Sequence, residues 1–201
     1  MEVKQIVSKL LESNTYVVSN NNKSIIIDAG AEIENVLPQT IGTKVEAVLL
    51  THLHFDHCYN LLSYVNQFNC PVYIFNADFV GLNPFTLASM FGKLTLPKNC
   101  YKSLQGVTKL NLAGLMVECF HTPGHSLDSM SFKINDCLFS GDTLFSNSIG
   151  RTDLETSNRL NMLQSLELLK GVTFNVCYSG HGKSSTYAEQ QENIKYFLLE
   201  L

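Results

Sequence analysis

The stretch Thr51-His52-Leu53-His54-Phe55-Asp56-His57 constrains this chain more than any other. Four side chains able to bind metal fall within six positions, directly after the apolar run Val45-Glu46-Ala47-Val48-Leu49-Leu50. A run that short, mostly aliphatic and bounded by polar residues, reads as a buried strand. It would end at Thr51 and deliver the ligands to the loop beyond its C-terminal edge, where open α/β folds place ligand sites. In extended backbone His52 and His54 point the same way, because side chains alternate with period two. Asp56 and His57 turn elsewhere as the chain bends into the next helix. Two neighbouring metal positions follow, one fed by the histidine pair and one by the Asp-His pair.

The rest of the chain supplies matching donors. Of six histidines, the remaining three are His121 and His125, which bracket Thr122-Pro123-Gly124, and His181 in Ser179-Gly180-His181-Gly182. Asp142 sits in Ser140-Gly141-Asp142-Thr143. Glycines accompany these residues at the ends of apolar runs, as expected of loops that bring side chains to one edge. Five imidazoles and two carboxylates can build two sites of mixed nitrogen and oxygen ligation. With one oxygen shared, both sites reach about four or five ligands and leave room for water. A merely polar turn with satisfied histidines would leave the other donors unexplained.

Taken in order, residues 3–11 and 15–19 read as opening strands, 20–23 as a turn and 24–28 as a strand ending in Asp-Ala-Gly. Residues 31–40 hold a short helix that Pro38 can end early. Residues 58–68 read as a helix with Leu61, Leu62, Val65 and Phe68 on one face, and 71–75 as another strand. Residues 76–99 are rich in Phe, Leu and Met but broken by Gly and Pro; a lid, a substrate wall or apolar packing all fit there. Strands follow at 107–112, 115–120, 129–134 and 137–140, with turns at Ala113-Gly114 and Asn135-Asp136. Residues 160–169 are an amphipathic helix, 174–179 a strand delivering His181, and 188–201 a closing helix. Two strand-rich halves with interleaved helices suit an α/β fold, a four-layer αββα sandwich with the site in the cleft between the sheets.

With 201 residues, 45% of them hydrophobic, the chain can bury a core, and its length predicts one domain, residues 1–201. The net charge is −4 and no basic run is present, which argues against nucleic-acid and membrane partners. No signal peptide or transmembrane span is apparent. Six scattered cysteines without a CxxC pair fit a reduced, cytoplasmic protein. Both a monomer and a homodimer agree with these features.

The motifs together resemble the metallo-β-lactamase superfamily, and within it the glyoxalase II-like hydrolases, here in a short form without the C-terminal helical domain. The resemblance rests on Ile25-Ile26-Ile27-Asp28-Ala29-Gly30, Thr51 through His57, Thr122 through Ser126, Gly141 through Phe145 and Gly180 through Gly182. It implies that His52, His54 and His125 hold one metal, that Asp56, His57 and His181 hold the other, and that Asp142 bridges them. Asp56 would be both ligand and proton acceptor. The cofactor implied is a pair of divalent ions, zinc in the first place, with iron or manganese also suited to these donors.

Two divalent ions roughly 3.5–4 Å apart polarise water so that a bridging hydroxide exists near neutral pH and attacks a carbonyl. Their charge outweighs the two ligand carboxylates and a hydroxide, so the pocket attracts small anionic substrates although the chain is acidic. Thioester hydrolysis, as in hydroxyacylglutathione hydrolases, is the reaction expected. The family's glutathione-binding lysine corresponds to Arg151, and two of its tyrosines to Asp153 and Lys183. Arg151 can still grip a carboxylate, its alternative being an internal pair with Asp153. Lys183 and Tyr187 can line the entrance or lie in solvent. The segment Gly150-Arg151-Thr152-Asp153 also resembles persulfide dioxygenases, which would use one iron at His52, His125 and Asp142. A lactonase or a nuclease of the same superfamily is a weaker expectation. Asp28 can support a ligand histidine through its carboxylate or cap the Ala29-Gly30 turn. His121 is expected to order the following loop, and Cys58 to be a small buried apolar group.

Overall fold

The computed structural model describes residues 1–75 and 100–200; the lid or substrate wall expected at 76–99 lies outside the described residues. One sheet runs in the order β1 (Glu2–Val7), β2 (Asn14–Asn20), β3 (Lys23–Ile27), β4 (Lys44–Leu49), β5 (Val72–Phe75), β6 (Tyr101–Leu104). Its first three strands are antiparallel, and β3 through β6 are parallel. The other sheet contains β7 (Thr108–Leu112), β8 (Leu115–His121), β9 (Met130–Ile134), β10 (Cys137–Gly141), β11 (Val176–Ser179) and β12 (Ser185–Thr186), neighbours in that order. It is antiparallel except where β10 runs parallel to β11.

The three consecutive isoleucines of β3 explain the layering. A strand with water on one face alternates apolar and polar residues; Ile25, Ile26 and Ile27 are all buried, so both faces are covered. Ile25 and Ile27 face the other sheet, packing with Leu49, Val117, Phe132 and Phe139. Ile26 joins Val17 and Val48 on the opposite face, under α1 (Ile33–Val36), α2 (Phe55–Cys58) and α3 (Leu61–Phe68). The second sheet's outer face is closed by α4 (Arg159–Lys170) and α5 (Tyr187–Glu200), whose Met162, Leu166, Leu169 and Ile194 pack on Leu138 and Cys177. The order is helix, sheet, sheet, helix, the expected αββα sandwich.

Several boundaries differ from the pattern reading. The first strand stops at Val7 instead of reaching residue 11, and Leu11 and Glu12 both take left-handed backbone at φ 55°. The helix expected over 58–68 is two pieces. Asn60 breaks it, because its backbone N–H donates to the Ala29 carbonyl at 2.9 Å and its amide to the Gly30 carbonyl at 2.8 Å. In α3 Leu61, Val65 and Phe68 face the core as expected, joined by Tyr64, while Leu62, expected on that face, is exposed. Pro38 does not follow the first helix directly but sits in the opening turn of a 3-10 segment, Leu37–Gln39. The strand Tyr101–Leu104 has a mixed, half-exposed pattern, and Ser185–Thr186 spans two residues; neither carries periodicity enough to be read from sequence. Among the described residues no helix is long and apolar enough to cross a membrane, and no disulfide joins the cysteines.

Candidate metal centre

The donors meet where the strands end. β4 runs out at Leu49, the chain bends at Thr51, and His54 is extended at φ −62° and ψ 143°. His52 and His54 do share a side: Nε2 of the first lies 3.0 Å from Nδ1 of the second. Asp56 and His57 occupy the short helix α2, which turns them toward the end of β11. His125 follows the Thr122-Pro123-Gly124 turn, Asp142 follows β10, and His181 follows β11.

Three overlapping groups result: His52, His54 and His125; Asp56, His57 and His181; and His52, His57 and Asp142, with donor atoms within 4.8 Å of one another in each. His125 Nε2 is 2.8 Å from His54 Nδ1, and His57 Nε2 is 3.3 Å from His181 Nε2. The Asp56 carboxylate is 3.2 Å from His181 Nε2 and 3.5 Å from His57 Nε2. Asp142 touches both sets, at 3.4 Å from His125, 3.3 Å from His57 and 3.6 Å from His181. All seven residues expected from the motifs converge.

The arrangement fits cations better than hydrogen bonds. A neutral imidazole has one donor and one acceptor, yet His54 Nδ1 faces two ring nitrogens within 3.0 Å and cannot share a proton with both. Asp142 Oδ1 is buried with no hydrogen bond at all, which is costly unless a positive charge completes it. The outward ring nitrogens are occupied in the way that frees the inward ones. His57 Nδ1 contacts Asp28 Oδ2 at 2.8 Å, and His125 Nδ1 contacts the Arg151 carbonyl at 3.2 Å. With Nδ1 as donor in both, each Nε2 keeps a lone pair for the cluster.

Asp28 thus contacts a histidine of the cluster through its carboxylate, and it also holds the loop that carries His52 and His54. Its carboxylate accepts from the Thr51 N–H at 2.7 Å and the Thr51 hydroxyl at 2.8 Å. It does so at φ 60°, a left-handed conformation that an Asp tolerates better than most residues. Close packing completes the pocket. A Cβ at Gly180 would overlap Asp142 Oδ1 and come within 2.8 Å of the His57 ring, so only glycine lets β11 end against both ligands.

Burial and charge act on these groups in opposite directions. Burial, reinforced by neighbouring imidazoles, pushes His52 well below the usual histidine value and His54 down to about 4. Burial also lowers His125, partly opposed by Asp142. For His57 and His181 burial is outweighed by carboxylates: Asp142 and Asp28 raise the first, Asp56 and Asp142 the second. Burial would raise Asp56 and Asp142, but the facing histidines prevail and hold both below the usual carboxylate range. Both carboxylates are therefore ionised at neutral pH.

The remaining expected residues lie outside the cluster. His121 is not among the clustered donors; its Nε2 meets the Leu127 carbonyl at 2.8 Å and its ring stacks on Phe75 at 3.7 Å. That agrees with a role in ordering the loop. Arg151 is engaged side-on by Asp153 at 2.7 and 2.9 Å, on the surface, so the internal pair is the observed state. Lys183 is exposed and Tyr187 partly buried. Asp128 went unread in the sequence. Its buried carboxylate accepts from the Leu53 N–H at 2.8 Å, tying the peptide between His52 and His54 to the loop after His125. Burial pushes it up, against a hydrogen bond from Ser126. Its place three positions after His125, between two serines, was the available signal.

Comparison with known proteins agrees with the geometry. Residues 9–181 match the family described as the metallo-beta-lactamase superfamily. The probable metallo-hydrolase YqgX of Bacillus subtilis is 31% identical over 193 residues, covering 91% of this chain and 92% of the relative. A hydroxyacylglutathione hydrolase of Xylella fastidiosa is 30% identical over 160 residues, 78% of this chain and 55% of the longer relative. Among solved structures, the BLEG-1 B3 metallo-beta-lactamase superposes with a TM-score of 0.86 at 29% identity, covering 98% of this chain and 99% of the other. TTHA1623 in a di-iron-bound form superposes at 0.78 with 30% identity, covering 94% and 98%. ETHE1 from Myxococcus xanthus, at 19% identity and a TM-score of 0.78 over 98% and 85% of the chains, shares the fold. With its sandwich, its convergent His and Asp donors and this match over most of its length, the chain belongs to the metallo-β-lactamase superfamily.

Proposed function

We propose that the chain is a dinuclear metal-dependent hydrolase that cleaves a thioester in a small anionic substrate, as hydroxyacylglutathione hydrolases do. The observation that carries the two-metal reading is the position of Asp142, within 3.6 Å of histidines from both ligand groups. His52, His54 and His125 would hold one ion, Asp56, His57 and His181 the other, and Asp142 both. Divalent ions held there would supply Lewis acidity toward a carbonyl and bring water deprotonation near neutral pH. Zinc suits the donor set, as do iron and manganese, and the relative with a di-iron form keeps iron in contention.

The chain's own groups then have distinct tasks. Asp56 is ionised and buried beside His57 and His181, which fits it to ligate a cation; its part as proton acceptor rests on the resemblance to the family. Asp28 and the Arg151 carbonyl hold the tautomers of His57 and His125. Arg151 would bind a substrate carboxylate by exchanging it for Asp153, and Lys183 stands exposed near the His181 loop as a second cation. The thioester class is supported by the hydroxyacylglutathione hydrolase relative, and a reduced cytoplasmic setting by six cysteines without a disulfide.

The test is metal quantification on protein purified without added metal, paired with assays of thioester loss and oxygen uptake. About two metals per chain with thioester cleavage is the expected result. One iron per chain with persulfide-dependent oxygen consumption would replace this reading with a mononuclear dioxygenase.

A further inference from the structure

His181 sits on a loop held mainly from the opposite sheet. It is the most exposed of the clustered donors, at 28% for its side chain, and Gly182 beside it takes φ 71°. Within the second sheet the loop's backbone is tied by one bond, from the Gly180 N–H to the Gly141 carbonyl at 2.8 Å. Its other anchors come from the opposite sheet. The Asn14 N–H donates to the Gly180 carbonyl at 2.7 Å. The Asn14 side-chain amide donates to the carbonyls of Ser179 at 2.9 Å and Gly182 at 3.0 Å. Gln5 donates to the Asn14 side-chain oxygen at 2.7 Å and to the Gly182 carbonyl at 3.0 Å, and the Tyr16 hydroxyl donates to the Ser179 carbonyl at 2.6 Å.

We propose that Asn14, assisted by Gln5 and Tyr16, is a positioning residue for His181, so that the amino-terminal hairpin sets the affinity of the Asp56, His57 and His181 position without contributing a ligand. This rests on the two-metal reading. The Asn14 side chain makes three hydrogen bonds: both amide hydrogens go to carbonyls on either side of His181, and the oxygen receives Gln5. The orientation of the amide follows from that network, since the reversed orientation would set an oxygen against two carbonyls. Asn14 is 1% exposed, so water does not take over these bonds at low cost. The preceding residue extends the grip to a second ligand, the Ser13 hydroxyl donating to the Asp56 carbonyl at 2.6 Å. By contrast, His52, His54 and His125 are steadied by Thr51, Asp128 and the Arg151 carbonyl, none of them on β1 or β2. Loosening the hairpin should therefore weaken one metal position and spare the other.

The experiment titrates the metal-free full chain with zinc by calorimetry, comparing wild type with Asn14→Ala and Tyr16→Phe, and follows thermal unfolding of each metal-free protein. Two zinc ions should bind wild type. In Asn14→Ala one of the two affinities should be unchanged and the other about 10–100-fold weaker, the range for losing a group that orients a ligand. Tyr16→Phe keeps the ring against Phe139 and Tyr178 and removes one donor, so a smaller loss confined to the same ion is expected. A merely structural role would lower the melting temperature while both affinities stayed put or fell together, and that result would overturn the proposal. If Asn14→Ala does not fold, Tyr16→Phe decides on the same criterion. One zinc per wild-type chain would instead defeat the two-metal reading, and the clamp with it; two zinc ions in wild type with unchanged affinities in the variants would defeat the clamp alone.

Discussion

Asp28→Asn is a sharp probe of the centre because it keeps the side chain's shape and changes only its charge and which atoms carry protons. The residue is 2% exposed, the side chains are nearly isosteric, and Asn tolerates the φ of 60° found there as well as Asp does. In wild type Oδ1 accepts from the Thr51 N–H at 2.7 Å, while Oδ2 meets the Thr51 hydroxyl and His57 Nδ1, both at 2.8 Å. If the Asn oxygen keeps the Thr51 N–H, the new NH2 faces His57 Nδ1. That nitrogen must then accept, which moves the ring proton to Nε2, the atom whose lone pair the metal needs. The alternative is to leave NH2 and N–H opposed in a dry pocket. Either way a buried charge-assisted hydrogen bond is lost, costing about 1.5–3 kcal/mol in stability. Metal binding at His57 should weaken roughly 10–100-fold, or about 1.4–2.7 kcal/mol by the relation between affinity and free energy. Zinc titration of the metal-free variant measures the second quantity and denaturant unfolding the first. Unchanged zinc affinity with normal folding would refute the argument that Asp28 sets the His57 tautomer.

Two further outcomes follow from packing and charge. Gly180→Ala places a methyl group onto Asp142 and within 2.8 Å of His57; it should cost about 1–3 kcal/mol of stability and lower zinc stoichiometry, and wild-type zinc binding would contradict the close approach. Glu118 lies opposite Lys109 and Lys133 across β7, β8 and β9, and its bonds to Lys133 first and Lys109 second depress its pKa. A depressed carboxylate contributes stability that is present above its unfolded pKa, near 4.3, and is lost as pH falls through the folded value. Glu118→Gln should therefore lose about 0.2–1 kcal/mol at pH 7 and converge with wild type only as pH falls below the depressed folded value, as read by urea unfolding across pH; a deficit that stays the same down to the most acid pH would count against the triad.

The donor set was readable from local pattern because metal ligands must be His, Asp or a similar type, and loops that present them follow apolar strands. His52 and His54 could even be given a common direction, since extended backbone alternates. The three isoleucines of β3 fell in a segment legible as a strand, but that both its faces are covered came from the structure. Legibility stopped wherever a residue's role depends on a partner distant in the chain. Asn60 breaks a helix that its periodicity continues, because Ala29 and Gly30 take its hydrogen bonds. Arg151 was open between substrate and Asp153 until geometry paired it with the latter.

Chemical identity therefore came from the linear chain, since ligation and ionisation are properties of residue types at short spacing. Assignment of the outward contacts came from folding. His57 owes its tautomer to a carboxylate 29 positions earlier, and His181 its place to an amide on a strand whose bond to Ser179 spans 165 positions. Hydrogen bonds act over about 3 Å whatever the separation along the chain, so no local window contains both partners, and packing two sheets together is what brings them within reach.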